Sequence, residues 1–244
     1  MRPRRYLAAG LLEVGLLLTA ACSAHNDTDG APSPAAASST RAKTAAPGAF
    51  TEGKQYLRIA QSGEKASGPV VIVEVFSYAC SHCAEFAPIF DQLRAKLPKD
   101  VQVRYMPAIF SEPWEPYARA FYASRQLGVL QSTHDAVFKA MEEHYPLNSL
   151  ADLADFYASR GVDRQKFLDA ANSPLTDAQM AADQKMEQGW GINATPTLVV
   201  GRLKGNPPSA WVVADYRSNE VGSYAELAQV GSFLVQQEQK ASRP

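Results

Sequence analysis

The chain is short of cysteine, has no large excess of either charge, and lacks an apolar run long enough to cross a bilayer. Three cysteines in 244 residues exclude a multi-disulfide scaffold, and they exclude a four-cysteine zinc or iron–sulfur site built from this chain alone. Lys and Arg number 24 and Asp and Glu 25. That balance offers no global basic field to hold a nucleic-acid backbone and no acidic tail, so a nucleic-acid partner is disfavoured. The apolar stretch from Tyr6 to Ala20 carries Glu13 in its middle and covers only about 15 residues where a spanning helix needs about 20. What is present is a hydrophobic fraction of 46%, enough for a real core. The length suggests one enlarged domain with appendages.

Arg2, Arg4 and Arg5 precede that apolar stretch, and small residues lead up to Cys22. This is the layout of a bacterial export signal, expected over residues 1–21. The segment Leu18-Thr19-Ala20-Ala21-Cys22 resembles the lipobox of bacterial lipoproteins. The resemblance implies that Cys22 is acylated, becomes the first residue after cleavage and anchors the chain to a membrane. The alternative is an ordinary signal peptide cut near Ala21, with Cys22 incidental. From Ser23 to about Gly48 the chain is almost wholly Ala, Ser, Thr, Pro, Asp and Asn. Such a stretch buries too little surface to offset chain entropy, so residues 22–48 are expected to be anchor and disordered linker, and the folded unit to begin near Ala49.

Within that unit, Gln55 to Ala60 reads as a short strand and Pro69 to Phe76 as a buried one, with Val70, Val71, Ile72, Val73 and Val75 in a β-branched run. Ala84 to Leu97 reads as a helix, with Phe86, Ile89, Phe90 and Leu93 at helical spacing, and Val101 to Tyr105 as a second, parallel-type strand. From Ser111 to about Trp190 the period becomes helical. Its stripes are Trp114/Tyr117/Phe121, Val137/Ala140/Met141/His144, Leu150/Leu153/Tyr157 and Leu175/Gln179/Ala182/Met186, read as core rather than as a cofactor site. Thr197 to Val200 and Ala210 to Ala214 are strands joined through a Gly- and Pro-rich connection over Gly201 to Ser209. A last helix begins at Ser223, with Glu226 in capping-box spacing.

The chemistry sits at Cys80-Ser81-His82-Cys83, where a buried strand turns into a helix. Unpaired backbone N–H groups and the helix macrodipole favour an anion there, so Cys80 is predicted to be a thiolate at neutral pH, while Cys83, one turn on, faces inward. Two other readings stand beside the redox one. A structural crosslink closing four residues is worth only roughly 2 kcal/mol. A zinc half-site would need two further ligands, and the adjacent His82 is wedged between the cysteines. His82 is either an exposed helix residue or a stabiliser of the Cys80 thiolate. Glu74, a lone carboxylate inside the apolar strand, costs several kcal/mol unless paired or protonated. It is either a raised-pKa acid beneath the thiol pair, passing protons to Cys83, or one half of a structural ion pair with a residue such as Arg104. Pro196 should occupy the start of its strand, where a cis bond is allowed.

Cys80-x-His82-Cys83 after a strand, Thr195-Pro196 before another, a helical insertion between them, and Gly53-Lys54-Gln55-Tyr56 near the domain start together resemble bacterial thiol:disulfide oxidoreductases of the DsbA type. The resemblance covers essentially residues 50–240. It implies an α/β chain with a thioredoxin fold and an inserted all-helical domain: residues 49–110 and 191–244 thioredoxin-like, 111–190 the insertion. It further implies Cys80 as the attacked and attacking sulfur, Cys83 as the resolving thiol, Pro196 in cis facing them, and Glu74 as the family's buried acid. The backbone of Thr195 would pair with an extended substrate segment by strand addition. Ser81 stands where the best-known members have proline and Thr195 where they have valine, two departures that bear on redox poise and partner range.

The function so implied is donation of the Cys80–Cys83 disulfide to unfolded exported proteins with free cysteines, in the periplasm. No metal or other cofactor is expected, and reoxidation would come from a membrane quinone-linked partner of the DsbB type. The alternatives are a tethered reductase or isomerase, and a non-redox lipoprotein that binds unfolded chains or a metal. Isomerases of the related type carry a folded dimerisation domain ahead of this unit, and residues 23–48 are too simple in composition to form one.

Overall fold

The computed structural model describes residues 50–59, 67–202, 209–213 and 221–241. The expected signal peptide, Cys22 with its lipobox, the linker, and the middle of the Gly201 to Ser209 connection lie outside the described residues. Five strands are present: β1 (Tyr56–Arg58), β2 (Val71–Phe76), β3 (Gln102–Pro107), β4 (Thr197–Arg202) and β5 (Ser209–Val213). They form one sheet in the order β1-β5-β4-β2-β3, with β2 and β3 parallel and the other pairs antiparallel. Helix α1 (Ser81–Lys96) joins β2 to β3. Between β3 and β4 come a short 3-10 turn (Glu112–Trp114) and helices α2 (Glu115–Gln126), α3 (Leu130–Glu142), α4 (Leu150–Ala158), α5 (Arg164–Ala171) and α6 (Pro174–Gly189). Helix α7 (Tyr224–Lys240) follows β5. Among the described residues no helix is long and apolar enough to cross a membrane.

The central strand β2 is buried along its whole length, which explains its unbroken apolar sequence. Its side chains alternate between two cores. Ile72 packs with Leu198 and Val200 against Phe86, Phe90 and Leu93 of α1 and Leu227, Val230 and Leu234 of α7. Val71, Val73 and Val75 face Trp190, Ile192 and Val199 on the other side. At the end of the strand Phe76 enters a third core, built mainly by α2 to α5. Helix α7 lies so close to the sheet that a Cβ on Gly231 would come within 2.8 Å of the Leu198 side chain. Ser223 caps α7 by accepting from the Glu226 N–H at 3.1 Å, and the Glu226 carboxylate accepts from the Gly222 N–H at 3.0 Å.

Two expectations are corrected. His144 does not extend the buried stripe of α3: it lies beyond the helix end, exposed, with φ 55°. The apolar periodicity continues one step past the point where the backbone leaves the helix. In α6 the buried face is Thr176, Met180, Asp183 and Glu187, whereas Leu175 is 52% exposed and Ala182 is exposed. That face is polar because Asp183 pairs with Arg104 of β3 and accepts a hydrogen bond from the Tyr122 hydroxyl of α2. Burial raises the Glu187 carboxyl to about 8, with Asp183 adding to the effect. A pattern that scores only apolar residues cannot see such a face.

Candidate active site

Helix α1 begins immediately after Cys80, three residues before the start at Ala84 expected from the apolar pattern. Cys80 is the N-cap, with extended backbone (φ −99°, ψ 110°) and no side-chain cap. Its carbonyl accepts from the N–H groups of Cys83 (3.0 Å) and Ala84 (3.2 Å). The first turn therefore holds His82 and Cys83, with Cys83 fully buried and Cys80 8% exposed at the edge of a cavity. Both are free thiols.

The two thiols are driven in opposite directions. The hydrogen bond from the Cys83 side chain pulls the Cys80 pKa down to about 6 against the opposing effect of burial, helped by the Thr195 side chain, the Cys83 backbone N–H and the charge of His82. Burial pushes Cys83 well above the usual thiol range, and its partnership with Cys80 and the charge of Glu74 add to this. For Cys80 the sign follows directly. The reduced folded state gains stability fully above the ordinary thiol pKa and loses it as pH falls through about 6.

The cis Thr195–Pro196 peptide faces this turn. The Cys80 thiol donates to the Thr195 carbonyl at 3.5 Å, and Thr197 opens β4 directly after the proline. Glu74 is fully buried, and neither carboxylate oxygen has a hydrogen-bond partner among the described residues. Burial raises its pKa well above the usual range, with Asp91 and Cys80 adding to the rise and Arg94 opposing it. The alternative of an ion pair with Arg104 is overturned. Glu74 is registered opposite Tyr105 and Val73 opposite Arg104, so the pleat sends Arg104 to the other face, where it binds Asp183.

Two residues that sequence reasoning did not single out complete the arrangement. Tyr224, at the start of α7, shares a 2.9 Å hydrogen bond with His82 Nδ1. His134 of α3 shares one of 2.8 Å with Tyr78, and burial lowers its pKa to about 4. Phe76, Tyr105 and Phe138 pack their rings around His134. Neither partner was legible beforehand, because they lie 142 and 56 positions from the residues they hold. Among the described residues no group of three or more His, Cys, Asp or Glu is arranged to hold a metal ion.

A family model described as thioredoxin matches residues 60–211. The chain is 31% identical over 197 residues to the thiol:disulfide interchange protein DsbA of Pseudomonas aeruginosa, covering 80% of this chain and 88% of that one. It is 32% identical over 200 residues to the protein of the same name from Burkholderia cepacia, covering 80% and 89%. The crystal structure of Pseudomonas aeruginosa DsbA superposes with a TM-score of 0.68 at 30% identity, covering 80% of this chain and 97% of the other. The oxidoreductase DsbA from Xylella fastidiosa gives 0.65 at 28% identity, covering 77% and 97%.

The electrostatics predict an order of effects. Alkylation of reduced Cys80, followed against pH, is expected to show a midpoint near 6. Tyr224→Phe, which removes this hydrogen bond from the His82 ring, should move that midpoint upward, and Cys83→Ala, which removes the leading hydrogen bond, should move it further. A Tyr224→Phe midpoint equal to that of the unaltered protein would contradict a role for this hydrogen bond.

Proposed function

The chain belongs to the DsbA-type thiol:disulfide interchange proteins of the thioredoxin superfamily, and from that premise we propose that its Cys80–Cys83 disulfide is donated to newly exported, unfolded proteins. Thiol:disulfide oxidoreductase chemistry of the dithiol-oxidase kind is the activity of this family. The observation that carries the assignment of roles is the contrast between the thiols, one lowered to about 6 and the other raised by burial. A disulfide whose reduced form is stabilised as a thiolate is a strong oxidant, since each pKa unit of depression is worth about 1.4 kcal/mol.

In the first step a substrate thiolate attacks Cys80 Sγ. The Cys80–Cys83 bond breaks, its electron pair leaves on Cys83, and Glu74 supplies the proton that the buried Cys83 needs. In the second step another substrate thiolate attacks the substrate sulfur of the mixed disulfide, and Cys80 leaves as a thiolate. Two electrons have then passed from the substrate dithiol to the enzyme. His82 stabilises the Cys80 thiolate, while the Thr195 backbone pairs with an extended substrate segment beside Pro196.

The proposal extends to architecture and place. Residues 49–110 and 191–244 form the thioredoxin-like unit and 111–190 its helical insertion. The protein works in the periplasm, held to a membrane by a lipid on Cys22, with 1–21 removed and 22–48 as tether. A membrane quinone-linked partner of the DsbB type accepts the two electrons and restores the disulfide, and tethering raises its effective concentration when both occupy one membrane.

Three outcomes test this reading. Equilibration with glutathione, read by trapping Cys80, should give a potential well above the glutathione couple, on the order of −120 mV. A value near that of thioredoxin, about −270 mV, would make the protein a reductant. Glu74→Gln is expected to slow the first exchange step on the order of 10- to 100-fold while raising stability at neutral pH. The stability gain follows because a carboxyl with a raised folded pKa contributes fully below its ordinary range and loses that contribution as pH rises. An unchanged exchange rate would remove Glu74 from the mechanism. Cys22→Ser should shift the protein from the membrane to the soluble fraction of bacterial cells, and retention at the membrane would remove the lipid anchor.

A further inference from the structure

A seam between α1 and α3 starts at Cys80. It consists of a cavity of about 340 Å³ beside Tyr78, Cys80 and Met141 and one of about 460 Å³ beside Ala87, Pro88 and Phe138. Ala84 and Glu142 line both, so the two cavities lie side by side along α1 and α3. Neither Thr195 nor Pro196 lines them, which separates the seam from the strand-addition edge. Its floor is apolar and lies against the reacting sulfur.

The rim is acidic. Glu85, Asp91, Asp135, Glu142 and Glu143 line it, with Lys139 and, in the cavity beside Cys80, His144 as the basic side chains. Lys139 is taken by Glu143 at 3.7 Å and Asp91 is taken by Arg94 at 2.8 Å. Among the described residues Glu85, Asp135 and Glu142 have no ion pair. Burial raises the Asp135 pKa, with the Asp91 charge adding to the rise and Arg94 opposing it. The full chain carries a net charge of only −1, so this acidity is local rather than global. Pro88, inside α1, has no N–H to give to the Ala84 carbonyl one turn back.

We infer that this seam seats the stretch of substrate polypeptide adjoining the cysteine bonded to Cys80, and that it selects stretches carrying Lys or Arg. This rests on the thiol-exchange reading and adds a specificity to it. Cys80 to Asp91 along α1 spans roughly 16 Å at 1.5 Å per residue, room for about five residues of extended chain. Such a chain lays alternate side chains on Ala84, Ala87 and Phe138. Its long basic side chains cover apolar surface with their stems and reach Asp135 and Glu142 with their charged ends. A metal ion is a poorer occupant, because the carboxylates are strung along two helices and do not converge.

The test uses the oxidised full-length chain and two dithiol peptides that differ only in having Lys-Lys or Glu-Glu beside the attacking cysteine. Each rate of mixed-disulfide formation is divided by the same protein's rate with uncharged dithiothreitol, so that changes in Cys80 reactivity cancel. The Lys peptide is expected to react about 10-fold faster than the Glu peptide at low salt, the ratio shrinking to about twofold or less near 0.5 M salt. In the combined variant Glu85→Gln, Asp135→Asn, Glu142→Gln the ratio should collapse toward one even at low salt. Equal rates with the unaltered protein, or a Lys preference that survives the triple neutralisation, would overturn the inference. Failure of dithiothreitol to reduce the disulfide would instead overturn the exchange reading, and this inference with it, an outcome that peptide charge cannot produce.

Discussion

One turn of helix, from Cys80 to Cys83, makes two identical side chains chemically opposite. Cys80 stands outside the helix as its N-cap, at the edge of a cavity, and accepts a hydrogen bond from the thiol one turn on. Cys83 stands inside the helix and is fully buried. The hydrogen bond that stabilises negative charge on the first sulfur holds the proton on the second. The asymmetry needs a helix that begins at Ser81 and a Cys83 side chain turned into the core, and much of the surrounding scaffold serves to secure those two conditions.

That scaffold grips the active-site turn from several sides. The fully buried β2 delivers the chain to Cys80, and the interlocked rings of Phe76, Tyr78 and His134 fix the last residues before it to α3. Tyr224 reaches from the start of α7 to His82. The Arg104–Asp183 pair and Tyr122 bind α6 to β3 and α2 on the opposite face of the sheet. The helices between β3 and β4 thus hold the redox turn in place through their aromatic core, even though the thiols themselves belong to the sheet and α1.

Buried and surface acids divide the work. Glu74, without a hydrogen-bond partner among the described residues and deep beside the thiols, has its carboxyl raised well above the usual range by desolvation, the property that the proposed proton transfer to Cys83 requires. The carboxylates of the α1–α3 seam keep access to solvent, and their charge acts outward. A chain with balanced total charge can therefore carry a strongly signed surface next to its reactive atom, because the field felt there depends on the nearest few side chains and is screened beyond about 10 Å.

The sequence alone determined the redox motif, the buried β-branched strand leading to it, the alternation of strands and helices, and the oddity of Glu74 in an apolar run. These depend on local spacing: a pair of cysteines one turn apart, a two-residue or 3.6-residue period, and a charge out of place among valines. Local spacing also misled. It began α1 at Ala84, because the polar first turn carries no apolar signal, and it turned Leu175 and Ala182 of α6 inward, because that helix buries Asp183 and Glu187. Only the tertiary structure decided that Arg104 serves Asp183 rather than Glu74, since one step along β3 reverses the side a residue faces. It alone brought Tyr224 to His82, His134 to Tyr78, and Glu142 of α3 to the cavity beside Cys80. Those contacts join residues about 50 to 140 positions apart, and which distant side chains meet is set by how the sheet and helices pack, information that no short window of sequence contains.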